Sequence, residues 1–197
     1  MKNYQSILEP DGYYHVYNRA NGSEKLFIEE TNYRYFLKLF KEYIHPIAEV
    51  YAYCLMPNHF HVLLKIKPAE KLNDYFTEAW ANKPRKSKNI SLEKKITQQF
   101  SNFFNAYTKA FNKFYGRLGG LFISSYRRIK IKSDRQFLNT VKYIHLNPVH
   151  AKISDRPENW IYSSYKAFIC NQSSLINKKY VINSFGDLES FINVHRV

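Results

Sequence analysis

YAYCLMPNHFHVLLK, residues 51–65, is the stretch whose reading decides the fold. Ile47 to Met56 and His59 to Ile66 are rich in β-branched and aromatic residues and read as strands. Pro57-Asn58 supplies a short turn between them, which predicts a hairpin. Side chains alternate along a strand, so His59 and His61 share one face. Phe60, Val62, Leu64 and Ile66 take the other face, the expected core side. The two imidazoles are then presented together, away from the apolar layer. Neutral imidazoles held side by side suit a divalent cation. Alternating histidines also arise by chance, so the spacing alone leaves both readings open.

Working outward, Gly12 to Tyr17 reads as a strand. A helix capped by Thr31 should follow, with Tyr33, Phe36, Leu37, Phe40 and Ile44 on one face and Pro46 at its end. Residues 67–90 are polar and read as an exposed excursion with a short helix around Tyr75 to Trp80. Its tip carries Lys83, Arg85, Lys86 and Lys88, which suits either a solvated loop or a phosphate-contacting one. Ser91 can cap a long helix in which Ile96, Phe100, Phe103, Phe104, Tyr107, Phe111 and Phe114 form an apolar stripe. Gly116, Gly119 and Gly120 stop it. Leu121 to Lys132 reads as a basic strand, and Ser133 with Gln136 as a capping box opening a helix that Pro148 closes near Asn147. The pattern does not type Trp160 to Phe168. The order strand, helix, strand, strand, helix, strand, helix predicts an α+β chain: a ferredoxin-like, split βαβ antiparallel sheet with helices packed on it. One domain spans 1–197, with a core of about 10–168, a basic insertion at 67–90 and an extension at 169–197 of unassigned role.

Charge narrows the function. Lys and Arg number 30 against 16 Asp and Glu, a net +14, which favours a polyanionic partner such as nucleic acid. A 45% hydrophobic content with 15 Phe and 17 Tyr suffices for a sizeable core. No apolar run approaches the ~20 residues of a membrane-spanning helix. No helix pairs a strongly basic face with an apolar one, which argues against a membrane-surface protein. Cys54 and Cys170 are the only cysteines, so neither a disulfide framework nor a cysteine zinc site is indicated. The chain reads as cytoplasmic.

The helix opening at Ser133 carries the second half of the chemistry. Phe137, Val141 and Ile144 fall on a core face, whereas Gln136, Thr140, Tyr143 and Asn147 line a polar stripe. A phenol can attack a phosphodiester and form a covalent phosphotyrosine, and an amide oxygen from Asn147 can complete the coordination of a cation. Among 17 tyrosines, Tyr143 also reads as an ordinary surface residue. Tyr126, among Arg127, Arg128 and Lys130, suits stacking on a base of a single strand. Tyr107 and His145 read as structural, and His15 as a support for the histidine pair.

The stretches YAYCLMPNHFHVLLK (51–65) and VKYIHLNPVHAKI (141–153) resemble the two signature regions of the REP-associated tyrosine transposases. These are relatives of the small insertion-sequence transposases in the HUH endonuclease superfamily. GYYHVYNRANGSEKLF, YGRLGGLFISSYRRIKI and WIYSSYKAF extend the resemblance over roughly residues 10–168. It implies an HUH-type fold and metal ligands at His59 and His61, with Mg²⁺ or Mn²⁺ as the ion. It further implies Tyr143 as the nucleophile on single-stranded DNA, leaving a 5′-phosphotyrosine and a free 3′-hydroxyl. Asn147 occupies the place of a polar third ligand that is glutamine in many insertion-sequence relatives. The expectation is a DNA transposase that nicks and joins single-stranded or hairpin DNA, as a monomer or a homodimer. The alternative is a transposase-derived nucleic-acid-binding protein without catalysis, since an aromatic ferredoxin-like sheet also serves RNA-recognition modules.

Overall fold

The computed structural model describes residues 4–81, 90–170 and 174–196. Lys83, Arg85, Lys86 and Lys88 lie outside them. Four strands, β1 (Tyr13–Arg19), β2 (Ala48–Met56), β3 (His59–Ile66) and β4 (Arg127–Ile131), form one antiparallel sheet in the order β2-β3-β1-β4. Helix α1 (Glu30–Tyr43) joins β1 to β2, and α2 (Ala69–Ala79) and α3 (Leu92–Phe114) join β3 to β4. This is the ferredoxin-like α+β layout that the element order predicts.

Several boundaries differ from the sequence reading. The first helix is capped at Glu29 rather than Thr31, because the Asn32 side-chain oxygen takes the N–H groups of Ile28 and Glu29. Phe114 lies past the core end of α3 and is exposed. The last strand starts only at Arg127, because residues before it leave the sheet after a single Ala20–Phe122 bridge. Helix α4 (Asp134–His150) does not end before Pro148 but runs through it. Proline removes its own N–H and crowds the carbonyl four residues back, but it falls in the last turn, where the Ala151 and Ile153 amides bond back to Asn147 and Pro148 and close the helix.

Both sheet faces are buried. Phe60, Val62, Leu64 and Ile66 pack with Tyr14 and Val16 under α1 and α3, in an aromatic core that includes Phe36, Phe103 and Tyr107. The histidine face was expected to lie away from an apolar layer, and here the structure corrects the reading. Leu63, Ala52, Cys54 and Met56 share that face and pack under Phe137, Val141 and Ile144 of α4. Helix α4 therefore lies along the histidine face, its apolar first half over Leu63 and its polar second half over the histidines.

The untyped C-terminal region completes this second layer. A 3₁₀ turn (Pro157–Asn159) and α5 (Tyr165–Ile169) are followed by α6 (Lys178–Ser184) and α7 (Leu188–His195). The chain covers the free edge of β2 through the Cys54–Ser163 and Val50–Ile176 bridges, which removes one exposed edge. Phe191 and Val181 are fully buried against α4. No helix among the described residues is long and apolar enough to cross a membrane.

Candidate active site

Strand register builds the site. Tyr17 pairs with His61, Arg19 with His59 and His15 with Leu63, so strict alternation puts His15, Tyr17, His59 and His61 on one face. The ring centroids confirm the cluster: His59–His61 5.1 Å, His15–His61 5.1 Å and Tyr17–His61 5.3 Å. Tyr143 on α4 stands edge-on to His61 at 5.3 Å and to His15 at 6.0 Å. Tyr143 is 43% exposed, in contrast to His61 and Asn147, which are buried. One turn on, Asn147 Oδ1 lies 3.2 Å from His59 Nε2. The structure thus brings His59, His61, Tyr143 and Asn147 together from two elements, His59 and Asn147 being 88 residues apart in sequence.

Hydrogen bonds assign the ring protons. His59 Nδ1 lies 2.7 Å from the Asn58 side-chain oxygen, which can only accept, so Nδ1 carries the hydrogen. The neutral ring then faces Asn147 Oδ1 with the Nε2 lone pair, two electron-pair donors aimed at one another. Either a proton or a metal cation relieves that opposition. Burial lowers the His59 pKa, opposed by the Asn147 contact and aided by the nearby Arg19 charge. Burial, His15 and His59 together push His61 well below the ordinary histidine value. The proton is disfavoured, and the imidazoles keep the lone pairs that a cation needs. His61 Nδ1 lies 3.0 Å from His15 Nε2. A proton on His61 Nδ1, donated to His15, leaves His61 Nε2 free and fixes its ring, the support a metal ligand ordinarily receives. The donor set is two nitrogens and one amide oxygen. No group of three or more His, Cys, Asp or Glu side chains arranged for a metal occurs among the described residues.

The expected DNA-contacting residues separate. Arg127 pairs with Tyr17 on the histidine face and is exposed beside the Tyr4 ring. Arg128 and Lys130 alternate to the opposite face. Lys130 is ion-paired with Glu9. Tyr126 was expected to stack on a base, but its ring is already covered by Phe100, Phe104 and the Arg128 guanidinium. Sequence reasoning left Tyr17 without a role. Its place two residues after His15 on the same strand is the signal that puts it at the site.

The chain is thus an α+β fold in which an antiparallel ferredoxin-like sheet bears an H-x-H pair beneath a tyrosine-carrying helix. A solved structure, the REP-associated tyrosine transposase bound to a REP hairpin, superposes with a TM-score of 0.56 over 89% of this chain and 90% of that one. The identity is 17%, so the likeness establishes a transposase-like fold. No family model and no curated protein matches the chain.

Proposed function

We propose that the protein is a metal-dependent, single-tyrosine DNA endonuclease and strand-transfer enzyme of the transposase kind. The observation that carries this reading is the meeting of Tyr143 with the His59–His61–Asn147 donor set. Tyr143 supplies the nucleophile. Its oxygen attacks the scissile phosphorus of single-stranded or hairpin DNA, and the phenolic proton passes to solvent. A Tyr143–phosphorus bond forms as the bond to the upstream 3′-oxygen breaks. That oxygen takes up a proton and leaves as a free 3′-hydroxyl, while the downstream 5′-phosphate stays on the tyrosine. Attack by a 3′-hydroxyl reverses the step without an external energy source, because the ester bond is retained. His59, His61 and Asn147 would hold Mg²⁺ or Mn²⁺, which when bound neutralises charge on the scissile phosphate. His15 positions the His61 ring, and Arg127 lies where a phosphate next to the site can be met. The reading fits a cytoplasmic enzyme acting as a monomer or a homodimer.

The test combines the protein, Mn²⁺ and end-labelled single-stranded DNA. Wild type is expected to yield a denaturant-resistant adduct, and Tyr143→Phe none. An equal adduct from Tyr143→Phe would remove the nucleophile assignment. DNA binding without any adduct, unaffected by His59→Ala with His61→Ala, would favour a binding protein instead.

A further inference from the structure

A second concave site lies across β1 from the histidines. It has a volume of about 460 Å³ and sits between α3 and the segment 120–126. One wall is a polar stripe along α3: Thr97, Ser101, Asn105 and Thr108, spaced four, four and three. Such spacing puts all four on one helix face. The other wall is tied to the end of β1. Asn18 donates to the Ile123 carbonyl, the Ile123 amide donates to Arg19, and Ala20 bridges Phe122. Arg19 itself pairs with His59. The wall of this cavity is therefore one strand away from the proposed metal ligands.

The lining has a distinct chemistry. Phe104 and Phe122 supply aromatic surface, the Tyr126 ring being covered by Phe100, Phe104 and Arg128, and Arg128, whose Nε donates to the Ser6 carbonyl, is the one cation among the lining residues, which include no carboxylate. The Asn105 amide and the Thr108 hydroxyl make no hydrogen bond to any other described residue. Burial drives the Tyr126 phenol up to about 12, opposed by Arg128 and Thr97. Neither of these closes a hydrogen bond with its oxygen, which has no partner. A buried hydroxyl left in this state costs stability. Uncharged donors and acceptors around an aromatic floor, with a cation and no anion, match a flat heteroaromatic ring with a polar edge that is attached to a phosphate.

We infer that this cavity receives one unpaired nucleobase of the DNA strand, whose backbone then passes around the end of β1 to the Tyr143 site. Asn105 and Thr108 read the base edge, and Arg128 lies beside its phosphate. The inference rests on the DNA-cutting reading for the identity of the strand, but not on catalysis. The pocket sets where along the strand the scissile phosphate falls, by holding one base at a fixed distance from it.

The experiment uses full-length Tyr143→Phe protein in EDTA and an oligonucleotide series with one abasic position moved along the strand. Binding is read by fluorescence anisotropy. One position is expected to be sensitive, its abasic form binding about tenfold more weakly. Asn105→Ala with Thr108→Val should weaken the intact strand to the same extent and leave the abasic strand unchanged. Both positions are at least partly exposed, so an unchanged Tm is expected to accompany the loss. No sensitive position, or equal losses on intact and abasic strands, would overturn the inference. Wild-type protein with Mn²⁺ separates the two readings. Cutting without abasic sensitivity sinks only the pocket. Abasic sensitivity without cutting sinks only the nuclease.

Discussion

Asn147 is an amide in a position that chemistry would also allow a carboxylate to fill, 3.2 Å from a histidine nitrogen. An amide oxygen is a neutral, weak ligand, so its loss should show as metal affinity rather than as a failure of binding to DNA. Asn147→Ala is predicted to raise the Mn²⁺ concentration for half-maximal cleavage by roughly tenfold. Asn147→Asp should lower it, because a charged oxygen replaces a neutral one. Equal Mn²⁺ dependence in all three proteins would remove Asn147 from the ligand set. In the proposed site His15 holds the His61 ring through their 3.0 Å contact. His15→Phe keeps the ring volume and deletes the partner, and is expected to cost about tenfold or more in metal-supported cleavage. The sequence placed the two histidines on one face because alternation is a local rule. It gave no means of telling that His15 would touch His61, because that contact depends on which strand lies next to β3.

At the scale of elements, α4 is held from behind by the C-terminal helices. His145, two residues from Tyr143, is fully buried, 2.8 Å from the Ser164 hydroxyl and 3.1 Å from His195 Nε2. His195 Nδ1 donates to the Phe191 carbonyl, so its Nε2 accepts and His145 Nδ1 must carry the hydrogen. The Ser164 hydroxyl has one hydrogen to share between His145 Nε2 at 2.8 Å and the Tyr53 carbonyl at 3.1 Å, and only its donation to the nearer Nε2 completes the chain. This chain, with Phe191 packed against both rings, clamps α7 onto the helix that carries Tyr143. Phe191→Ala is expected to lower stability by about 3–5 kcal/mol in denaturant unfolding, and an effect near zero would show the clamp to be dispensable. Acid should also loosen it. Burial lowers the His195 pKa from 6.5 to about 4, with the Phe191 hydrogen bond opposing. The unfolded chain therefore binds the proton first as pH falls. The stability from neutral His195 is complete above pH 6.5 and is lost on descending towards pH 4, at about 1.4 kcal/mol per pH unit. His145, pushed well below its ordinary value by burial and by His195, adds in the same direction. A Tm unchanged between pH 7 and pH 5 would contradict this.

For the whole molecule, the +14 charge sets a long-range attraction to DNA, but its cations are not equivalent. Lys130 and Arg117 are already neutralised by Glu9 and Glu24, whereas Arg127 is exposed on the histidine face. With roughly three phosphate contacts, binding to single-stranded DNA should fall about twentyfold between about 50 and 200 mM salt. Arg127→Ala should reduce the slope of log affinity against log salt by about 0.7, and Lys130→Ala should leave it unchanged. Matching slopes for the two variants would mean that the face assignment does not govern DNA contact.

The sequence by itself determined the strands, the hairpin at Pro57-Asn58, the shared face of His59 and His61 and the polar stripe from Gln136 to Asn147. Each of these follows from backbone periodicity, which acts over a few residues. The tertiary structure decided that α4 covers the histidine face. The polar stripe then meets the His pair, and the Tyr126 ring is covered by Arg128 and two phenylalanines. It also turned residues 174–196 from an extension into the backing of the site. Those outcomes depend on which apolar surfaces bury one another across the chain, and nothing in the local spacing of residues records that choice.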